Sequence, residues 1–118
     1  MTTKMPKAVE DYLKASDTAD LDSLNACLTQ DATISDVGEN DKIAGLPAIR
    51  QFVQESKEKF KLRKKILHIE ETDDRVKVTT LTFGDFPGSP QYFYYEFTLV
   101  DNLIKNIDIL PGEENVKQ

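Results

Sequence analysis

One cysteine and one histidine are all that this 118-residue chain has of the two residue types on which much site chemistry rests. With Cys27 alone, no internal disulfide can form. With His68 alone, a metal site would need aspartate and glutamate for nearly every ligand, and no ligand spacing points to one. A Ser-His-Asp or Cys-His arrangement would have to use His68, and no nucleophile motif accompanies it. A charged-then-apolar leader is missing, and no apolar run approaches membrane-spanning length, so a cytoplasmic location and no membrane partner are expected. No phosphate-binding glycine loop, internal repeat, low-complexity segment or interior linker interrupts the chain.

What is present fits one domain over 1–118, with a core at about 7–111 and a tail at 112–118. The net charge of −6 argues against nucleic acid and anionic membranes as partners. Lys57, Lys59, Lys61, Arg63, Lys64 and Lys65 form a local basic run, read here as a solvated helix end. Cys27 lies on an apolar stripe with Leu21, Leu24 and Leu28, where a free thiol packs as a small hydrophobe.

Residues 7–16 read as a helix with Ala8, Val9, Tyr12 and Leu13 on one face. Asp20 is an N-cap for a second helix, and Pro47 opens a third that carries Ile49, Phe52, Val53, Ser56 and Phe60. Residues 32–36 alternate as a short strand that ends on Asp36, and Gly38 to Gly45 read as a loop. From Leu62 the period becomes two, giving strands at 64–72, 75–83, 91–100 and 103–110. Asp73-Asp74 and Asp101-Asn102 are tight turns, and 84–90 is a longer one. Helices first and strands after predict an α+β fold with a strongly curved sheet covered on one face by helices.

Alternation puts Phe93, Tyr95, Phe97 and Leu99 on one sheet face and Tyr92, Tyr94, Glu96 and Thr98 on the other. The first set can build a core or line a pocket. The second exposes two tyrosines on a helix-free face, and a homodimer through Tyr92 and Tyr94 is expected. Two ordinary cross-strand tyrosines on a monomer are the simpler alternative.

Val9 to Leu13, Asp20-Leu21-Asp22, Asp31-Ala32-Thr33-Ile34-Ser35-Asp36, Gly45, Ala48-Ile49-Arg50, Phe52 and the four closing strands together resemble the nuclear transport factor 2-like superfamily. That superfamily includes the SnoaL-like proteins and the ketosteroid isomerases. The resemblance runs from about residue 8 to residue 111. It implies a cone-shaped, cystatin-like fold: an antiparallel or mixed curved sheet wrapped around N-terminal helices, with a pocket at the open end and common dimerisation through the outer face. It implies little about activity, because one fold hosts many.

The isomerase branch has a tyrosine on its first helix, an aspartate ending its first strand and an aspartic acid on the third strand of its final sheet. Tyr12 and Asp36 stand at the first two positions, and Tyr95 replaces the acid at the third. Val37 also replaces a proline expected after the base, and the loop that follows is one residue shorter. By resemblance, Asp36 would move a proton next to a carbonyl, Tyr12 would donate to the enolate oxygen, and no cofactor would be needed. Tyr95 could supply a second donor. Phe52, Phe83, Phe93, Phe97 and Ile107 would line the pocket for a small, largely apolar ligand.

The plain readings stay beside these. Asp36 as a loop carboxylate would bond backbone amides, and Tyr12 and Tyr95 would be core aromatics. Arg50 would snorkel or pair with a carboxylate. A one-residue slip of the last strand would turn Asp108 inward and favour hydrolase or cyclase chemistry. The expectation is therefore a pocket protein with ketosteroid isomerase-like proton transfer. The alternative is a non-catalytic dimeric ligand-binding or interaction module of the same fold.

Overall fold

The computed structural model describes residues 5–37 and 41–112. Helix α1 (Lys7–Thr18) forms where Ala8, Val9, Tyr12 and Leu13 give it one buried stripe. Ala19, in the left-handed region at φ 57°, ends it, and the Asp20 N–H closes on the Ala15 carbonyl at 3.0 Å. The Asp20 carboxylate then accepts from the Ser23 N–H at 3.4 Å and caps α2 (Leu21–Cys27).

The chain passes from α2 directly into β1 (Leu28–Asp36). Leu28 was expected in the helix and the strand only from residue 32. Leu28 is already extended, at φ −117° and ψ 148°, so no loop separates the two elements. The expected loop at 38–45 also needs correction. Residues Asp41–Ala44 form β2, antiparallel to β1, with Asp36 opposite Asp41 and Thr33 opposite Ala44. Ile43 is the only large apolar residue of this short edge strand, too little alternation to read. Gly38 lies outside the described residues.

Gly45, at φ 92°, turns the chain into α3 (Leu46–Glu55), and Pro47 sits in its first turn. The helix expected through Phe60 instead widens to a π-helical turn at Ser56–Phe60, stopped by Lys61 at φ 53°. Arg50 does not seek a carboxylate. It donates to the Leu21 carbonyl at 2.9 Å and to Asn25 Oδ1 at 3.0 Å, which ties α3 to α2.

Strands β3 (Arg63–Thr72), β4 (Arg75–Phe83), β5 (Gln91–Val100) and β6 (Leu103–Pro111) follow within one residue of expectation. Asp101 and Asn102, at φ 53° and 67°, make the tight hairpin turn foreseen there. The sheet order is β2-β1-β6-β5-β4-β3. All pairs are antiparallel except β1 with β6, which makes the sheet mixed. Register shifts within the β1–β6, β3–β4 and β5–β6 pairings bend it.

The concave face carries Ala32, Ile34, Val76, Val78, Tyr95, Phe97, Ile104, Ile107 and Ile109, and Val9, Tyr12, Leu13, Leu24, Ile49 and Val53 of the helices pack on it. Ile107 and Ile109 are buried here, so Asp108 points the other way, opposite Glu96. The slipped register that would bring Asp108 inward is not adopted. Among the described residues, no helix is long and apolar enough to cross a membrane.

At Gly84 the chain after β4 presses against the π-helical turn. The Asp85 N–H donates to the Phe60 carbonyl at 2.6 Å. A Cβ on Gly84 would lie 2.6 Å from that same carbonyl and 2.7 Å from Leu62 Cδ2. Gly84→Ala should therefore cost about 1–3 kcal/mol by overpacking. Thermal unfolding should show a Tm several degrees lower, and an unchanged Tm would mean that the two segments separate freely.

Candidate functional site

The inner face is apolar along most of its length and polar at one end. Asp36 ends β1 two residues after the buried Ile34, so alternation turns it toward the concave side. In the paired registers it lies beside Ile109 of β6, which in turn faces Tyr95 of β5. Tyr95 feels the Asp36 charge directly. From the helix side, Tyr12 meets Phe97 edge-on, with ring centroids 5.7 Å apart, and Tyr95 stacks on Phe97 at 6.4 Å. The three residues singled out in the sequence, Tyr12, Asp36 and Tyr95, are thus brought to one end of one face.

The expected lining residues separate. Phe97 and Ile107 are fully buried beneath the helices, and Phe52 and Phe93 are half-buried against the same core. Phe83 departs from them. It alternates with the inward Thr80 and Thr82 and so stands on the other side of β4, in an open cleft of about 690 Å³ with Lys57, Lys61, Arg63, Gly84, Asp85 and Ser89. The Arg63 guanidinium lies 5.5 Å from the centre of its ring. A second cleft, of about 640 Å³, is lined by residues around Met5, Asp74 and Asn102. Neither cleft is lined by Tyr12, Asp36 or Tyr95.

Four further residues belong to the polar end. Lys64 is not part of a solvated run. It pairs with Thr82 across β3 and β4, and its side chain is only 5% exposed. Its ammonium contacts Asp17 Oδ1 at 2.8 Å and lies 5.7 Å from the centre of the Tyr95 ring. Desolvation lowers Lys64 from the usual lysine value, and the Asp17 charge pulls it back up. Thr80 and Thr82 are both buried, with hydroxyls 3.0 Å apart, and Thr80 donates to the Phe93 carbonyl at 3.2 Å. Thr82 also hydrogen-bonds Tyr95.

Each of these hydroxyls has one proton to give. Thr80 gives its proton to the Phe93 carbonyl, so Thr82 donates to Thr80. Tyr12 makes its ring contact with Phe97.

Sequence signals for these additions did exist. Asp17 follows Leu13 by one helical step of four, which carries it onto the buried stripe. Lys64 falls between Leu62 and Ile66 on the apolar parity of β3. Thr80 and Thr82 continue the inward parity of Val76 and Val78.

Burial pushes both phenols above the ordinary tyrosine value. The neighbouring Tyr95 adds to the effect at Tyr12, and the Asp36 and Asp17 charges add to it at Tyr95. Cys27, beneath the same helices, is pushed up to about 11, mainly by burial. Among the described residues, no group of three or more histidine, cysteine, aspartate or glutamate side chains is placed to hold a metal ion.

The sequence matches the nuclear transport factor 2 (NTF2) domain model over residues 5–105, and the chain belongs to that family. A candidate polyketide cyclase from Sinorhizobium meliloti superposes with a TM-score of 0.83 at 28% identity, covering 89% of this chain and 94% of that one. A candidate ketosteroid isomerase from Kribbella flavida gives 0.79 at 13% identity, with 92% and 77% covered. An epoxide hydrolase of the LEH-like type from Mycobacterium tuberculosis gives 0.74 at 19%, with 91% and 77% covered. At such low identity the last two speak for the fold alone. No curated protein matches the sequence.

The raised phenols have a consequence for stability. A group whose folded pKa lies above its unfolded value stabilises the fold fully below the unfolded value, and that stability is lost as pH climbs. For Tyr12 and Tyr95 the loss should begin near pH 10, the ordinary tyrosine value. Denaturant unfolding across that range should show stability falling, and falling less steeply in Tyr12→Phe. Equal slopes would mean that Tyr12 ionises in place.

Proposed function

We propose that this protein binds a small, largely apolar carbonyl compound at the polar end of the inner face and transfers a proton on it, with Asp36 as the base. The convergence of Tyr12, Asp36 and Tyr95 carries this reading. In the proposed step the Asp36 carboxylate takes a proton from the carbon next to the carbonyl. The C–H electrons become the enolate double bond, and the carbonyl oxygen gains the charge. Asp36 then returns the proton to the same or a conjugated carbon. Buried donors strengthen such a step, since they meet the new charge in a site with little water. Tyr12 and Tyr95 are the candidate donors.

The family and its polyketide cyclase-like and ketosteroid isomerase-like neighbours support a ligand-binding protein. Exchange of α-hydrogens of an enolisable bicyclic ketone for deuterium tests the base. Asp36→Asn should slow exchange by about 10²–10⁴-fold while the ketone still binds. If the parent protein gives no exchange above solvent, the non-catalytic binding module is the better description.

We further propose that two copies associate through the outer sheet face. Tyr92 and Tyr94 stand there half-buried, with the Lys77 ammonium 4.5 Å from the centre of the Tyr94 ring. Aromatic residues beside a cation suit a protein interface better than open solvent. Sedimentation should give a dimer for the parent and a monomer for Tyr92→Glu combined with Tyr94→Glu. A monomeric parent protein would refute the interface.

A further inference from the structure

Three cations of the basic run converge on one place. The π-helical turn ends at Lys61, whose left-handed backbone, at φ 53°, swings the chain toward β3. Lys57, Lys61 and Arg63 thereby line the same open cleft of about 690 Å³ as Phe83 and Gly84. Asp85 is the one carboxylate among the lining residues, so the cleft has an excess of two positive charges in a chain whose net charge is −6. The Lys57 charge also reaches Lys64, but Lys64 is paired with Asp17, and that pair leaves the excess unchanged. Lys57 donates to the Leu62 carbonyl at 3.5 Å. Among the described residues, none of the three cations forms an ion pair with a carboxylate. Like charges gathered in one cleft repel, and an anion between them offsets the repulsion.

The backbone that carries these cations is tied in place. The Lys61 N–H donates to the Lys57 carbonyl at 3.0 Å, and the Asp85 N–H donates to the Phe60 carbonyl at 2.6 Å. The Gly84 N–H donates to Ser89 Oγ at 3.0 Å, which closes the loop after β4 on itself. Groups mounted on a tied backbone lose less freedom when a ligand binds. Phe83 adds apolar surface beside the charge, with the Arg63 guanidinium 5.5 Å from the centre of its ring.

We propose that this cleft binds a small phosphate monoester, its phosphate among Lys57, Lys61 and Arg63 and its apolar group against Phe83. A phosphate monoester carries about −1.5 to −2 charges near neutral pH, which matches the positive excess. A carboxylate brings a single charge and leaves part of the excess unmet. The planar Arg63 guanidinium also suits two phosphate oxygens at once. A nucleic acid would meet the same three cations, but the remainder of this acidic chain repels a long polyanion. Tyr12, Asp36 and Tyr95 do not line the cleft, so this site stands apart from the proton-transfer reading of the inner face.

The probe is phenyl phosphate, titrated into the whole protein at about pH 7.5 while backbone amide shifts are followed by NMR. Saturable shifts should centre on Lys61, Arg63, Gly84 and Asp85. Lys61→Gln combined with Arg63→Gln should weaken binding by about tenfold or more, and Asp85→Asn should tighten it. Phe83→Leu should weaken phenyl phosphate and leave inorganic phosphate unchanged. Benzenesulfonate, a monoanion of similar shape, should bind more weakly than phenyl phosphate. None of the substituted side chains is buried, so the amide spectra should stay those of the folded protein. The site is overturned by a titration without saturable shifts, by shifts centred on the inner face, or by equal affinity in the double glutamine variant. Equal binding of phenyl phosphate to Phe83→Leu would overturn the apolar contact, and tighter binding of benzenesulfonate the preference for a doubly charged ligand. Deuterium exchange on the ketone reads the inner face alone, so the two readings fail separately.

Discussion

The contact of Tyr12 with Phe97 is the one on which the arrangement depends. The concave sheet face must be covered, and α1 covers it by setting a phenol edge against the most buried ring of β5. That packing fixes the rotation of α1 about its axis. Val9 and Leu13 then meet the sheet on the same stripe, and Asp17, one turn further, arrives beside Lys64. One hydrophobic contact thus sets both the core and the position of the buried charges. A large side chain excludes water from everything beneath it, and that exclusion is also what raises the phenols.

Much of this could be read from the chain, and what could not has physical causes. Strands β3 to β6 were legible because each alternates over nine or ten residues and is bounded by turn residues with strong preferences, such as Asp101-Asn102. Strand β2 was not, because four residues with one large apolar side chain carry no period. Its pairing is supplied by the edge of β1 and not by its own sequence. The π-helical turn at Ser56–Phe60 escaped for a related reason: its end is bonded to a segment more than twenty residues away, at Asp85, and no local pattern records that. Tyr12, Asp36 and Tyr95 could be placed through resemblance and alternation together. Their joint function rests on chemistry that neither supplies.

Lys64 is the instructive miss. Composition around it argued for a solvated run, and five of the six cations fit that description well enough. Parity argued the other way, since residue 64 falls between Leu62 and Ile66 on the inward side of β3. Composition is a weak guide where a strand begins, because alternate residues of one basic stretch are sent to opposite faces. The same rule moved Phe83 out of the expected lining set and brought Thr80 and Thr82 into the site. Side-chain period, applied residue by residue, outweighs the character of the neighbourhood.

A buried ion pair seldom exists for stability alone, since an apolar pair of similar size often serves as well. The Asp17–Lys64 pair occupies a face otherwise built from valine, isoleucine and aromatic residues, so its desolvation has to be offset by something apolar side chains cannot do. The substitution of Tyr95 for an acid gives a physical context. A carboxylic acid there would keep its proton by burial and offer it to a ligand. A phenol at Tyr95 keeps its proton as well, because burial and the Asp36 and Asp17 charges all raise it. The Asp17–Lys64 pair adds fixed charge beside that ring, the ammonium 5.7 Å from its centre, where apolar side chains would leave none.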